Sequence, residues 1–195
     1  MNIDTIIGID PGAQGGIAVW QAGAKVKTMR MPRDISELRE YMTYLAENFR
    51  PIVFLEKLSV RPDDVTVEGG SANLGKLYRI QKMMAQYEQL KATFEFCGVL
   101  FVQVHPMKWQ NGLHLRTKGE EKAARKRRYR DVAGKLYPEV DATLWNADAV
   151  LIMHFGRHIL KDDPNWVLEN LPRSNDTERL RGASDLPLFG RIRRR

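Results

Sequence analysis

Two short apolar runs, Thr5–Asp10 (TIIGID) and Ile52–Leu58 (IVFLEKL), each carry one carboxylate among residues suited to a core. Runs of this length and β-branched content read as buried strands. An isolated carboxylate costs several kcal/mol to bury, so Asp10 and Glu56 each need a compensating partner supplied by the fold. A third acid, Asp148, falls in the first turn of a helix that is otherwise apolar (ADAVLIMHF). Asn146 can cap that helix, and the helix dipole favours an anion at Asp148. Taken singly, Asp10 before Pro11-Gly12 could only shape a turn, Glu56 could pair with a basic residue at the core edge, and Asp148 could be an ordinary helix-start charge.

The pattern along the chain places these acids. After Thr5–Asp10 come Gly15–Gln21 (GGIAVWQ) and Lys25–Met31 (KVKTMRM), separated by short Gly-bearing links, which predicts a three-stranded antiparallel meander. Asp34 caps a helix running to about Asn48, and Pro51 stops it before the strand Ile52–Leu58. Ser59–Asn73 reads as a loop, Leu74 to about Thr93 as a helix, and Val99–Val104 as a strand. A loop containing Trp109, a basic helix Lys118–Leu136 and a helix Ala147–Leu160 follow, with little fixed structure expected beyond Pro164. The order β-β-β-α-β-α-β-α-α implies an α/β fold: a mixed five-stranded sheet with helices on both faces, the ribonuclease H-like arrangement. Right-handed crossovers set Ile52–Leu58 parallel to and beside Thr5–Asp10, so Asp10 and Glu56 reach the same carboxyl edge of the sheet. The domain is expected over 1–163, with 164–195 a basic tail.

Three clustered carboxylates repel one another unless a hard cation lies between them. Oxygen donors without Cys or His select Mg²⁺, with Mn²⁺ as a substitute. Two such ions on shared carboxylates can activate water and stabilise the leaving oxygen of a phosphodiester.

The charge distribution points to the same substrate. Of the net +7, Arg116–Arg130 holds +6 and Arg173–Arg195 holds +4, leaving the remainder of the 195 residues at −3. Two focused basic stretches on a slightly acidic body attract a polyanion, and nucleic acid is the usual one. The single cysteine, Cys97, allows no internal disulfide and no Cys-based zinc cluster, which fits a reducing compartment. With no bilayer-length apolar run and no signal-peptide pattern, the sequence predicts a soluble intracellular protein without a membrane role.

G-I-D-P-G at 8–12, G-G-I-A-V at 15–19, L-E-K at 55–57, V-H-P-M-K-W-Q at 104–110 and N-A-D-A-V-L-I at 146–152 occur in the order and spacing of a known family. Over about Ile6–His158 the chain resembles the RuvC-like Holliday junction resolvases, above all those of bacteriophages and their hosts. The resemblance implies a ribonuclease H-like fold, a homodimer and paired Mg²⁺-dependent nicks in four-way DNA junctions; the expected location is the cytoplasm of a bacterium or phage-infected host, at the nucleoid. By position, Asp10, Glu56 and Asp148 match the metal-binding carboxylates, and Lys108 and Lys122 match two basic residues near the scissile phosphate. Lys122 would stabilise charge developing on that phosphate; the alternative is one more solvated lysine. Trp145 stands where many members carry a fourth acid or His, with Asp141 and Asn146 nearby as substitutes. The loop Ser59–Asn73 lacks the aromatic that some members insert into the junction.

Lys118, Arg125, Lys126, Arg127 and Arg128 are the candidate phosphate contacts of the basic helix. Trp109 could stack on a base or sugar, or plug the core edge. His154 and His158, spaced i,i+4, could hold a metal or simply flank a helix end. In the tail, Asp185, Leu186, Leu188 and Phe189 resemble the pentapeptide by which bacterial replication proteins dock on the sliding clamp; docking on the protein's own surface is the alternative. Two competing functions remain open: a catalytically silent junction-binding protein of the same fold, and a phosphotransferase of the actin-like superfold, whose phosphate-binding hairpin I-G-I-D-P-G-A-Q-G-G-I-A resembles.

Overall fold

A computed structural model describes residues 2–12, 14–60 and 73–172. Strands β1 (Thr5–Ile9), β2 (Gly16–Gln21) and β3 (Lys27–Arg30) form the antiparallel meander. Helix α1 (Ile35–Asn48) crosses to β4 (Pro51–Glu56), and α2 (Leu74–Phe96) precedes β5 (Leu100–Val104). The second half is helical: α3 (Pro106–Gly112), α4 (Lys122–Leu136), α5 (Ala147–Asp162) and α6 (Pro164–Asn170). The sheet order is β3-β2-β1-β4-β5, with β4 parallel to both β1 and β5. The α/β fold with a mixed five-stranded sheet is the one expected.

Period-two alternation divides the core. Ile7, Ile9, Val53, Leu55 and Phe101 point to the face covered by α1 and α2, where Leu38, Met42 and Leu90 meet them. Ile6, Ile52, Phe54, Val102 and Val104 point to the other face, packed against α5 residues such as Ala149, Ile152 and Met153. Helix α1 starts where Asp34 accepts a hydrogen bond from the Ser36 amide at 2.9 Å, as its sequence predicts. Helix α5 lies directly on β1 because Gly8 has no side chain: a Cβ there would stand 2.3 Å from the Ala149 carbonyl and the Met153 amide.

Three features differ from the sequence reading. The segment around Trp109 is the short helix α3, with Pro106 in its first turn and His105 accepting from the Met107 amide. The basic helix begins at Lys122, so Lys118 belongs to the preceding turn. Beyond Pro164 the chain forms α6, whose Val167 is fully buried and whose Trp166 meets Phe155 edge-on at 6.2 Å. Pro164 is the opening residue of that helix, and Asp163 caps it by accepting from the Trp166 amide. Among the described residues the packed fold therefore runs past 163 and includes Leu171.

Candidate active site

Register brings the first two acids together. Ile9 pairs with Leu55 across the parallel β1–β4 ladder, so Asp10 and Glu56 follow as neighbours at the carboxyl ends of adjacent strands. Both continue the alternation that points Ile6, Ile52 and Phe54 toward α5. Helix α5, seated on Gly8, supplies Asp148 from its first turn on that same face. Asp10 is held at the strand end by its backbone N–H, which donates to the Gly16 carbonyl, and by its carboxylate, which accepts from the Gly12 amide at 3.2 Å. Gly15 leaves room for this turn, since a Cβ would stand 2.2 Å from the Asp10 carbonyl oxygen.

Asp10 and Glu56 feel the charge of neighbouring carboxylates. Burial first, and the nearby Asp148 charge second, push Asp10 above the ordinary carboxylate range, against the pull of the Gly12 amide and Lys126. Burial pushes Glu56 up to about 7, with Asp10 and Asp148 adding to the rise. Two donors reach the cluster. The fully buried Trp109 indole donates from Nε1 to Glu56 Oε1 at 3.0 Å. Lys126 Nζ donates to Asp148 Oδ2 at 2.5 Å. Asp148 is 7% exposed, and its other oxygen, Oδ1, is buried without a hydrogen-bond partner. Such an orphan is costly in a folded protein.

As the side chains stand, no three His, Cys, Asp or Glu groups among the described residues are close enough to enclose a metal ion. The chemistry of the set nevertheless fits a hard divalent cation. It offers only oxygen donors, two of its acids are raised by burial and by neighbouring carboxylate charge, and the third keeps a buried oxygen unpaired. Asp10, Glu56 and Asp148 are the residues that would hold it.

The other expected site residues divide. Lys122 is exposed at the first position of α4 and makes no ion pair among the described residues; Lys126, one turn on, is the lysine at the acids. Trp109 cannot stack on DNA because it is sealed in the core, edge-on to Tyr129 at 5.5 Å. Lys108 places its ammonium over the Trp166 ring, 4.9 Å from the centroid, rather than at the carboxylates. Arg128 is committed to Glu120, at 2.8 and 2.6 Å, and to the Leu115 carbonyl, so it braces the 115–120 turn instead of standing free for phosphate. Lys118 and Arg127 are exposed, and Arg125 is half-buried with no salt bridge among the described residues.

Neither substitute for a fourth ligand is at the acids. Trp145 lies under the Arg30 guanidinium at 4.9 Å and against Gly16. Asn146, 1% exposed, does not cap α5 with its side chain; it accepts from Thr143 and donates to Thr28 Oγ1 and the Asp141 carbonyl. Asp141 itself is exposed. His154 and His158 contact each other at 3.1 Å, and His154 meets the Tyr137 hydroxyl at 2.8 Å; no third ligating side chain joins them among the described residues. Most of the loop Ser59–Asn73 and the motif Asp185, Leu186, Leu188 and Phe189 lie outside the described residues. No described helix is long and apolar enough to cross a membrane.

Sequence reasoning places Lys126 among the phosphate contacts rather than at the acids, and it misses Trp109 as the partner of Glu56. A signal for Trp109 exists, because an indole N–H inside a buried segment needs an acceptor.

No protein-family model and no curated protein matches the sequence. Among solved structures, the chain is similar to RuvC of Thermus thermophilus in complex with a Holliday junction substrate, at a TM-score of 0.51 and 15% identity, covering 82% of this chain and 96% of that one. A second RuvC structure from the same organism gives a TM-score of 0.47 at 14% identity over 86% and 98% of the two chains. The first likeness establishes a RuvC-like, ribonuclease H-type fold.

Proposed function

We propose that this chain is a divalent-metal-dependent endonuclease that nicks branched DNA, with the four-way junction as its foremost substrate. The observation that carries the reading is the convergence of Asp10, Glu56 and Asp148, from β1, β4 and α5, on one buried edge beside a basic helix. The sequence resemblance and the fold shared with a junction-bound neighbour support the substrate. Two bound Mg²⁺ ions, or Mn²⁺ in their place, would supply Lewis acidity at the phosphodiester and lower the pKa of an attacking water. The chain's own residues prepare that chemistry. Trp109 fixes one oxygen of Glu56, which leaves the other free to ligate. Lys126 neutralises Asp148 in the absence of a metal ion, and its ammonium, released when a cation takes its place, would be available to charge developing on the phosphate. The cations Lys118, Arg125 and Arg127 hold the strand by its phosphates and position it without reading sequence.

A homodimer completes the reading, because two nicks placed symmetrically across a junction call for two sites. Leu74 and Tyr78, one helical turn apart on α2, are 75% and 68% exposed and offer an apolar face for a second copy.

The test is purified protein with a synthetic four-way junction and a linear duplex, each with and without Mg²⁺. Paired nicks confined to the junction and to the metal-containing reaction are expected. Asp10→Asn should bind the junction and leave it intact; wild-type nicking by that variant would remove the acids from the chemistry. One observation favours a second reading: Trp145 packs on the sheet where the resemblance places a fourth ligand. A catalytically silent junction binder would hold the junction in the same assay and never nick it.

A further inference from the structure

A polar cleft of about 470 Å³ opens between α3, α4 and the turn that joins them. Three of its lining residues connect it to the acids. Ser59 follows Glu56 by three residues, His105 follows the β5 residue that pairs with Glu56, and Tyr129 senses the Asp148 charge. Its volume lies within the roughly 300–1,000 Å³ typical of small-molecule sites. A duplex, whose major groove alone is about 12 Å wide, is too large to enter.

The lining has three chemically distinct parts. Arg116, Lys118 and Arg125 supply positive charge with no salt bridge among the described residues. The cleft's one acid, Glu120, is already neutralised by Arg128. Pro106 and Met107 form an apolar wall, and the Met107 side chain is open to solvent with 44% exposure. Gln110 adds an amide that both donates and accepts. On the floor is Tyr129, 1% exposed, whose hydroxyl has no hydrogen-bond partner. Cations suit a phosphate, a flat apolar wall suits the face of a base, and an amide suits its edge.

We propose that this cleft is a mononucleotide subsite that takes one unpaired deoxynucleotide of the bound strand. Its phosphate lies on Arg116, Lys118 and Arg125, its base lies against Pro106 and Met107, and Gln110 reads the base edge. The nuclease reading above supplies the strand. The subsite follows from the cleft alone. An unpaired nucleotide is available at a branch point at lower cost than in an intact duplex, so the subsite would give the protein a preference for branched DNA and for one base beside the branch.

The test uses the full chain in EDTA, where no cleavage can occur. The four deoxynucleoside 5′-monophosphates and inorganic phosphate are titrated separately while the amide resonances of Gln110, Thr117, Lys118 and Gly119 are followed. Saturable shifts are expected with all four nucleotides, tighter than with phosphate and unequal among the bases. Gln110→Ala should level the differences among bases and leave phosphate binding intact. Arg125→Gln should weaken nucleotides and phosphate alike by about tenfold. Phosphate binding as tightly as the nucleotides would reduce the cleft to an anion site and overturn the proposal. So would the absence of saturable nucleotide shifts, or a base preference that survives Gln110→Ala. The junction assay decides the nuclease reading separately: nucleotide binding without any nicking keeps the subsite and loses the nuclease, and nicking without nucleotide binding does the reverse.

Discussion

Trp109 shows how much one hydrogen bond can decide. Its indole is the only side-chain partner of Glu56 among the described residues, so Trp109→Phe keeps an aromatic ring in the core and removes the donor. Groups that orient ligands in this way typically change metal affinity or activity by about 10–100-fold when removed. The expected result is a rise in the Mg²⁺ concentration for half-maximal nicking, with junction binding in EDTA unchanged. Lys126→Met tests the other donor. It leaves Asp148 without its cation and, because Lys126 is 31% exposed, should cost only about 1–2 kcal/mol. Added Mg²⁺ should raise the melting temperature of this variant more than that of wild type, since the lysine no longer competes. His154 sets a pH dependence. Burial first, then His158 and Arg157, hold it at about 4, below the ordinary 6.5, so the folded protein refuses a proton that the unfolded chain accepts. The stability this contributes is complete above pH 6.5 and is lost as pH falls toward 4. Thermal melts across that range should show the loss, and His154→Gln should flatten it. The three acids were legible in the sequence because each interrupts an apolar run. The place of Lys126 at the acids was not, since it is one of several cations in succession on α4 and only the docking of α4 on α5 selects it.

At the scale of elements, the contact of α5 with β1 through Gly8 fixes where Asp148 stands. Gly8→Ala would drive a methyl into backbone atoms of Ala149 and Met153, which cannot swing aside. Overpacking of this kind costs about 1–3 kcal/mol. The urea midpoint should fall, and nicking should fall further than the loss of folded protein explains, because α5 carries Asp148 away from Asp10 and Glu56. Strands β1 and β4 were readable from apolar content, and their parallel pairing followed from handedness. The short helices α3 and α6 were not readable. Each opens with a proline that looks like a stop, and each is only seven residues long, too short for apolar periodicity to show. The start of α4 was misplaced for a related reason: a basic segment with few buried side chains gives no phase, and Lys118 in the turn looks like the rest of the helix.

For the molecule as a whole, the expected division into a fold and a basic tail is testable by truncation. Ending the chain after residue 172 removes a net +4 and should leave the melting temperature unchanged while weakening junction binding. The slope of log affinity against log salt should become shallower by about 0.9 for every phosphate that the shortened chain no longer neutralises. Ending it after 163 instead strips buried Val167 and Leu171 from the core and should destabilise the protein outright. The tail's charge was visible in composition, but the packing of Trp166, Val167 and Leu171 was not, because so short a segment after Pro164 shows no helical period. The ammonium at Asp148 has one more effect at this scale. A protein that carries its own counter-cation can finish folding in a chelator and be stored inactive. On the nuclease proposal, arming it would be a swap of one positive charge for another, reversible by EDTA without any refolding.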